Sequence, residues 1–256
     1  MFYFYHMELI ELKDFLDFKA DQYENHAFLE YDPIQIPHKF SQKEDIEIIG
    51  FLVATIAWGN RKSIISNGNK ICEIMGNSPY DFIMNYKKNS QVNFVHRTFN
   101  SFDLEFFFHS LNTIYKTGDL ESAFCGDFHD KGVKNYISNF RQVFLETAHL
   151  PRSEKHISNP NANSACKRLI MYLRWMVRDS KKGVDFGIWK SISPSELYIP
   201  LDVHTGTIAR KLGILKRTQN DWKTNEELIE LLRKFDSIDP AKYDFALFGL
   251  GAFEKF

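Results

Sequence analysis

The chain has 256 residues, 44% of them hydrophobic and 25% charged, with a formal net charge of −1. This is an ordinary globular composition that excludes disordered, collagenous and low-complexity classes and leaves enough length for one large domain or two modest lobes. Three widely spaced cysteines (Cys72, Cys125, Cys166) with no C-x-x-C pair exclude a disulfide scaffold, a cysteine-rich zinc module and a four-cysteine iron–sulfur cluster.

Aromatic residues reach 15%, including 24 Phe and 11 Tyr, so rings more than Val and Ile are expected to fill the core. The opening stretch, residues 1–7, is apolar but lacks a basic region and does not read as a signal peptide. No run approaches the ~18 apolar residues of a membrane span. A cytoplasmic setting without membrane attachment is therefore expected.

In chain order, Leu9, Leu12, Leu16 and Tyr23 form one helical stripe over residues 8–24. Asp32-Pro33 through Pro37 interrupts it. Ser41-Gln42-Lys43-Glu44 has the spacing of a capping box and opens a long apolar helix to about Trp58. Gly59-Asn60 separates that helix from a second one carrying Ile64, Ile65, Ile71 and Ile74. Helices are predicted near 79–87, 101–117 and 133–148. Asn163 or Ser164 is placed to cap a helix containing Leu169, Ile170, Leu173 and Met176, and a loop with Gly183, Gly187 and Pro194 follows. Asp202 caps a short helix with Ile208, Leu212 and Leu215, Thr224–Glu227 reads as another capping box, and Pro240 starts the last helix. Alternating strand runs are missing, and the expectation is an all-α protein of about ten helices.

Charge is uneven along this pattern. Between Arg152 and Lys223 fourteen Lys/Arg face six Asp/Glu, a surplus of eight, so the remainder carries −9. A basic segment on an acidic body is a plausible phosphate footprint, and solvated helix faces are the plainer alternative.

Two residues carry chemistry. Lys167 falls in the first turn of its predicted helix, where the positive helix end and neighbouring Arg168 both disfavour an ammonium group. A neutral amine is what nucleophilic catalysis requires. Asp202 sits at a predicted N-cap, where backbone N–H groups favour the charged carboxylate. An amine and a carboxylate facing one cleft suit Schiff-base chemistry at a sugar carbon. An exposed lysine and a routine Asp cap would leave the same local signature.

Ile199-Pro200-Leu201-Asp202-Val203-His204, followed by Ile208-Ala209-Arg210-Lys211-Leu212-Gly213, resembles the PVDxH…RvarRLG signature of the helix-hairpin-helix DNA glycosylase superfamily. The helix beginning Lys167-Arg168-Leu169 occupies the place of the one that carries the Schiff-base lysine in bifunctional members. The connection through Gly183-Val184-Asp185 is most similar to the archaeal 8-oxoguanine DNA glycosylase branch. The chain as a whole also resembles an uncharacterised bacterial family related to that superfamily, through His96-Arg97-Thr98-Phe99 and Ser164–Leu169.

The resemblance implies two helical lobes with a cleft between them, one of residues 46–165 and one of residues 1–45 plus 166–256, and no iron–sulfur cluster. It implies a cytoplasmic, nucleoid-associated bacterial enzyme, monomeric and without cofactor or metal, acting on double-stranded DNA with a damaged base. Lys167 would attack C1′ and Asp202 would be the essential carboxylate. Asp244 and Phe248 would read and stack the flipped purine, with Trp58 as the opposite stacking face. DNA contacts would come from Asn60, Arg61, Ser164, Arg168, His204 and Arg210.

One departure stands out. The superfamily's hairpin reads L-P-G-V-G, whereas residues 158–164 here (Ser-Asn-Pro-Asn-Ala-Asn-Ser) contain no glycine, although Asn tolerates left-handed backbone. With a pI near 6.8, that departure supports the alternative of a non-catalytic nucleic-acid-binding protein with the same fold. A metal-dependent hydrolase built on His129-Asp130 lacks any H-x-x-x-H or paired-carboxylate spacing.

Overall fold

A computed structural model describes residues 8–87, 92–126, 132–179, 181–254 and 256. His129-Asp130 and the opening residues 1–7 lie outside the described residues. The chain divides into two compact units, one of residues 1–28 plus 160–256 and one of residues 29–159. The expected division ran at 45/46 and 165/166. Residues 29–45 instead belong to the middle unit, because buried Ile34 and Ile36 pack on its first two long helices.

The middle unit is built from α3 (Lys43–Ile56), α4 (Arg61–Ile74), α5 (Pro79–Met84), α6 (Ser101–Thr117), α7 (Leu120–Cys125) and α8 (Val133–Leu145). Its centre is aromatic, as the composition implies. Phe51 stacks on Phe107 at 5.5 Å and meets Phe140 edge-on at 5.2 Å, while Phe124 and Phe140 stack at 4.1 Å. Offset and edge-on ring pairs add about 0.5–1.5 kcal/mol each beyond area burial. A two-residue hairpin, β1 (Val95–His96) with β2 (Phe99–Asn100), pairs His96 with Phe99 around a left-handed Arg97 (φ 57°). This small sheet and α7 were missed by helical periodicity because neither is long enough to show a period.

The other unit contains α1 (Leu9–Tyr23), α9 (Lys167–Val177), α10 (Val203–Lys211), α11 (Trp222–Phe235) and α12 (Tyr243–Ala252), with α2 (Ala27–Tyr31) carrying the chain onward. Leu12, Leu16 and Ala20 of α1 are buried in a core with Ile208, Leu228, Leu232, Leu247 and Leu250, whereas Leu9, expected on the same stripe, is exposed. Helix α12 packs against both α1 and α10. The approach to α1 depends on Gly249, where an added Cβ would lie less than 3.0 Å from the Tyr23 ring.

Three predicted caps are displaced. Helix α3 starts at Lys43 with Gln42 at the cap and no side-chain acceptor, so the Ser41 box does not form. Helix α11 starts at Trp222 because Asp221 reaches the Thr224 N–H at 2.9 Å, which puts Thr224 inside the first turn. Helix α9 starts at Lys167 itself. Cys166 occupies the cap in left-handed conformation (φ 48°), and Ser164 is held by its backbone in a bridge to Asp221 while its Oγ accepts the Cys166 N–H at 3.3 Å. A non-glycine residue in that conformation costs roughly 1 kcal/mol.

Candidate active site

Two helix starts bring Lys167 and Asp202 together. Lys167 is the first residue of α9 and Asp202 is the N-cap of α10, and Lys167 Nζ donates to Asp202 Oδ2 at 3.0 Å. The other carboxylate oxygen, Oδ1, accepts the Thr205 N–H at 2.9 Å, which fixes the carboxylate at the positive end of α10. Burial works to raise the Asp202 carboxyl, but the Lys167 ammonium, the Thr205 N–H and nearby His204 outweigh it and hold the group below the usual carboxylate range. The Lys167 side chain is 37% exposed and that of Asp202 15%, so the pair has an open amine side and a sheltered carboxylate. Chemically this is a fixed anion beside an accessible amine.

Behind the pair lies a buried ionic cluster. Arg174, two turns along α9 from Lys167, donates to the Asp244 carboxylate through Nη1 and to Asp185 Oδ1 at 3.3 Å. Arg178 continues the chain to Asp185 Oδ2 at 3.1 Å, Glu24 Oε2 at 2.9 Å and Asp239 at 2.9 Å. The face of Phe245 receives the Arg174 guanidinium at 4.5 Å and that of Arg178 at 5.3 Å. Burial pushes the Asp244 carboxyl up to about 6 against the pull of Arg174, and the charges of Asp202 and Asp185 push the same way. That coupling places Asp244 within electrostatic reach of the Lys167–Asp202 pair. One turn further along α12, half-buried Phe248 meets Phe28 and Phe253 edge-on at 6.0 and 6.1 Å.

The expected DNA-contact residues divide sharply. His204 is exposed at the second position of α10, beside the pair. Arg168 is half-buried, and burial lowers its guanidinium to about 10. Arg210 is turned inward: it donates to the Arg217 carbonyl at 2.6 Å, the Gln219 carbonyl at 2.9 Å and Asn220 Oδ1 at 2.6 Å, and so clamps the loop after α10. Asn220 in turn donates to the Asp202 carbonyl at 2.9 Å, so Arg210 supports the candidate carboxylate. Ser164 is used in the bridge to Asp221 and in the Cys166 turn. In the glycine-free stretch Asn163 adopts the left-handed backbone (φ 60°) and seats its amide on Asp221 at 3.0 Å.

Trp58, Asn60 and Arg61 belong to the middle unit. The Trp58 ring has His96 edge-on at 5.0 Å and His156 tilted at 6.0 Å, while its carbonyl accepts from His96 Nε2 at 3.1 Å. Asn60 caps α4 through Ser63 N at 3.3 Å, and Arg61 is the first residue of that helix.

Part of the basic surplus is paired with carboxylates: besides buried Arg174 and Arg178, half-exposed Arg217 pairs with Asp221 at 2.7 Å and Arg152 with buried Asp103 at 2.9 Å, and Lys182 pairs with exposed Asp21. The cluster residues Arg174, Arg178 and Glu24 and the support residue Asn220 carry no motif, and Asp185 entered only through the Gly183-Val184-Asp185 connection, without a role. An Arg-x-x-x-Arg spacing on an apolar helix face was the single readable hint of the first two. Among the described residues no group of three or more His, Cys, Asp or Glu could hold a metal ion, and no helix is long and apolar enough to cross a membrane.

Comparison with known families adds one finding. A family model described as "Protein of unknown function (DUF2400)" matches residues 32–253. The chain belongs to that family. The matched span takes in Lys167, Asp202, Asp244 and both cluster arginines, and leaves out α1 and Glu24. No curated protein and no solved structure matches the chain.

Proposed function

We propose that this member of the DUF2400 family is a DNA glycosylase with β-lyase activity, of the helix-hairpin-helix type, that removes a damaged purine such as 8-oxoguanine from double-stranded DNA in the bacterial cytoplasm. The observation that carries the reading is the Lys167 amine 3.0 Å from the Asp202 carboxylate, at the starts of two helices, with the lysine open to solvent. Asn163 in left-handed backbone supports it further, because it supplies without glycine the conformation that the hairpin of such enzymes needs.

Flipping a base costs a few kcal/mol, which contacts to the extruded nucleotide must offset. As the C1′–N bond lengthens, positive charge grows on the sugar, and an anion already fixed beside it stabilises that charge without reorganisation. Lys167, once neutral, bonds to C1′ through its lone pair. Loss of a proton from nitrogen and opening of the sugar ring then give an imine, which labilises the C2′ proton and lets the 3′ phosphate leave.

The test is borohydride trapping on duplex DNA with a single 8-oxoguanine. Wild type should form a covalent adduct that Lys167→Gln abolishes, and Asp202→Asn should slow base release by a factor of about 100 or more. DNA binding without adduct or base release would overturn the enzyme reading and favour a non-catalytic binding protein.

A further inference from the structure

The ionic cluster behind the Lys167–Asp202 pair does not balance. Two guanidinium groups, Arg174 and Arg178, are shared among four carboxyl groups, Glu24, Asp185, Asp239 and Asp244. Asp239 is a quarter exposed and dissipates its charge into water. The other three side chains are 9% exposed or less, and a buried carboxylate without full compensation keeps its proton instead.

Geometry decides where that proton resides. Each oxygen of Asp185 takes a guanidinium N–H, and Glu24 takes two N–H groups from Arg178. Asp244 has one guanidinium contact, through Oδ2, and feels like charge from both Asp202 and Asp185. Of the elements around it, α9 contributes Arg174 with Lys167 beyond, the loop after α9 contributes Asp185, α10 contributes Asp202 and His204, and the end of α1 contributes Glu24 through Arg178. Burial raises Asp185 as well, but Asp244 has the fewest guanidinium contacts of the three buried carboxyls and is the one that feels the charge of Asp202.

Resting on the glycosylase reading above, we propose that Asp244 is the acid of base release: its protonated form passes that proton to the departing base, and Arg174 holds the carboxylate left behind. The C1′–N bond breaks with its electron pair remaining on the base, which takes the Asp244 proton and leaves neutral. Lys167, whose ammonium proton has first passed to solvent water on its open side, forms the new bond to C1′, and the second proton its nitrogen loses goes to the Asp202 carboxylate. Atoms and charge balance with water as the acceptor of the first proton. The substrate class that needs this help is a neutral purine, whose anion is a poor leaving group.

A preformed abasic site separates the two halves of this chemistry, because trapping there needs Lys167 and Asp202 but no leaving base. Asp244→Asn keeps shape and hydrogen-bonding capacity but has no proton to give. It should lower release of 8-oxoguanine or hypoxanthine by a factor of about 100 or more while abasic-site trapping stays within a few-fold of wild type. A second reading, independent of how that variant folds, uses wild type and Arg174→Gln. The ratio of base release to abasic-site trapping should fall with pH through about 6 in wild type. Arg174→Gln, which removes the cation favouring the carboxylate, should move that fall to higher pH. A pH-independent ratio in wild type, equal losses of both activities in Asp244→Asn, or abasic-site trapping without release of either purine would each overturn the acid role. Absence of trapping on every substrate would instead overturn the Lys167 reading beneath it.

Discussion

The raised Asp244 carboxyl has a consequence for folding that needs no substrate. Its value is about 6 in the fold against 3.8 for the unperturbed group. At about 1.36 kcal/mol per unit, that difference corresponds to roughly 3 kcal/mol. Because the folded value is raised, the folded state binds the proton more tightly than the unfolded chain does. The stabilisation is fully present below about pH 4 and is lost as pH rises through about 6, opposite in sign to the salt-bridged carboxylate Asp202. Roughly 2 kcal/mol of the loss should fall between pH 4.5 and 7.5.

The measurement is urea unfolding of wild type and Asp244→Asn across that range. Other titrating groups are common to both proteins, and the constant cost of leaving Arg174 beside an amide does not vary with pH, so the difference between the two stability curves isolates Asp244. Wild type should lose stability relative to the variant as pH rises. A difference that is flat to within about 0.5 kcal/mol, or that grows with pH, would refute both the burial argument and the unbalanced charge count behind it.

Two further outcomes follow from local geometry. Gly249→Ala forces a methyl into the Tyr23 ring, which is stacked on Phe253 at 5.6 Å and hydrogen-bonded to Glu254, so denaturation should show a loss of about 1–3 kcal/mol, whereas Gly251→Ala, with its nearest atoms at 3.2 Å, should cost less; equal effects would refute the close-approach account. Arg210→Gln should lower stability by about 1–3 kcal/mol and leave the salt dependence of DNA binding unchanged, because its Nε and Nη2 donors are held by two loop carbonyls and Asn220 Oδ1; a salt slope smaller by about 0.9 would show that it contacts phosphate after all.

The helices were legible from sequence because burial along a helix repeats every 3.6 residues, and α1, α4, α6, α8 and α12 lie close to where that period puts them. The Asp202 cap was equally legible, since an Asp three residues before an N–H it can reach is a local interaction. Caps with rival candidates nearby were not: Asp221 displaces Thr224, and Ser164 is diverted by a bridge to a residue far along the chain.

For the candidate site, sequence by itself determined the two residue types and their helix-end positions, the carboxylate by its cap and the lysine by its place in a first turn. Only the tertiary structure decided that Lys167 and Asp202, 35 positions apart, meet at 3.0 Å. It decided likewise that Arg178 reaches Glu24 across 154 positions and that Arg210, basic and apparently available in sequence, is turned inward to its own loop. The physical reason is one of range. Periodicity and capping depend on neighbours a few residues away and are written in the local order of the chain. The charge a side chain feels depends on what is packed against it, and those partners are assembled only when the core closes.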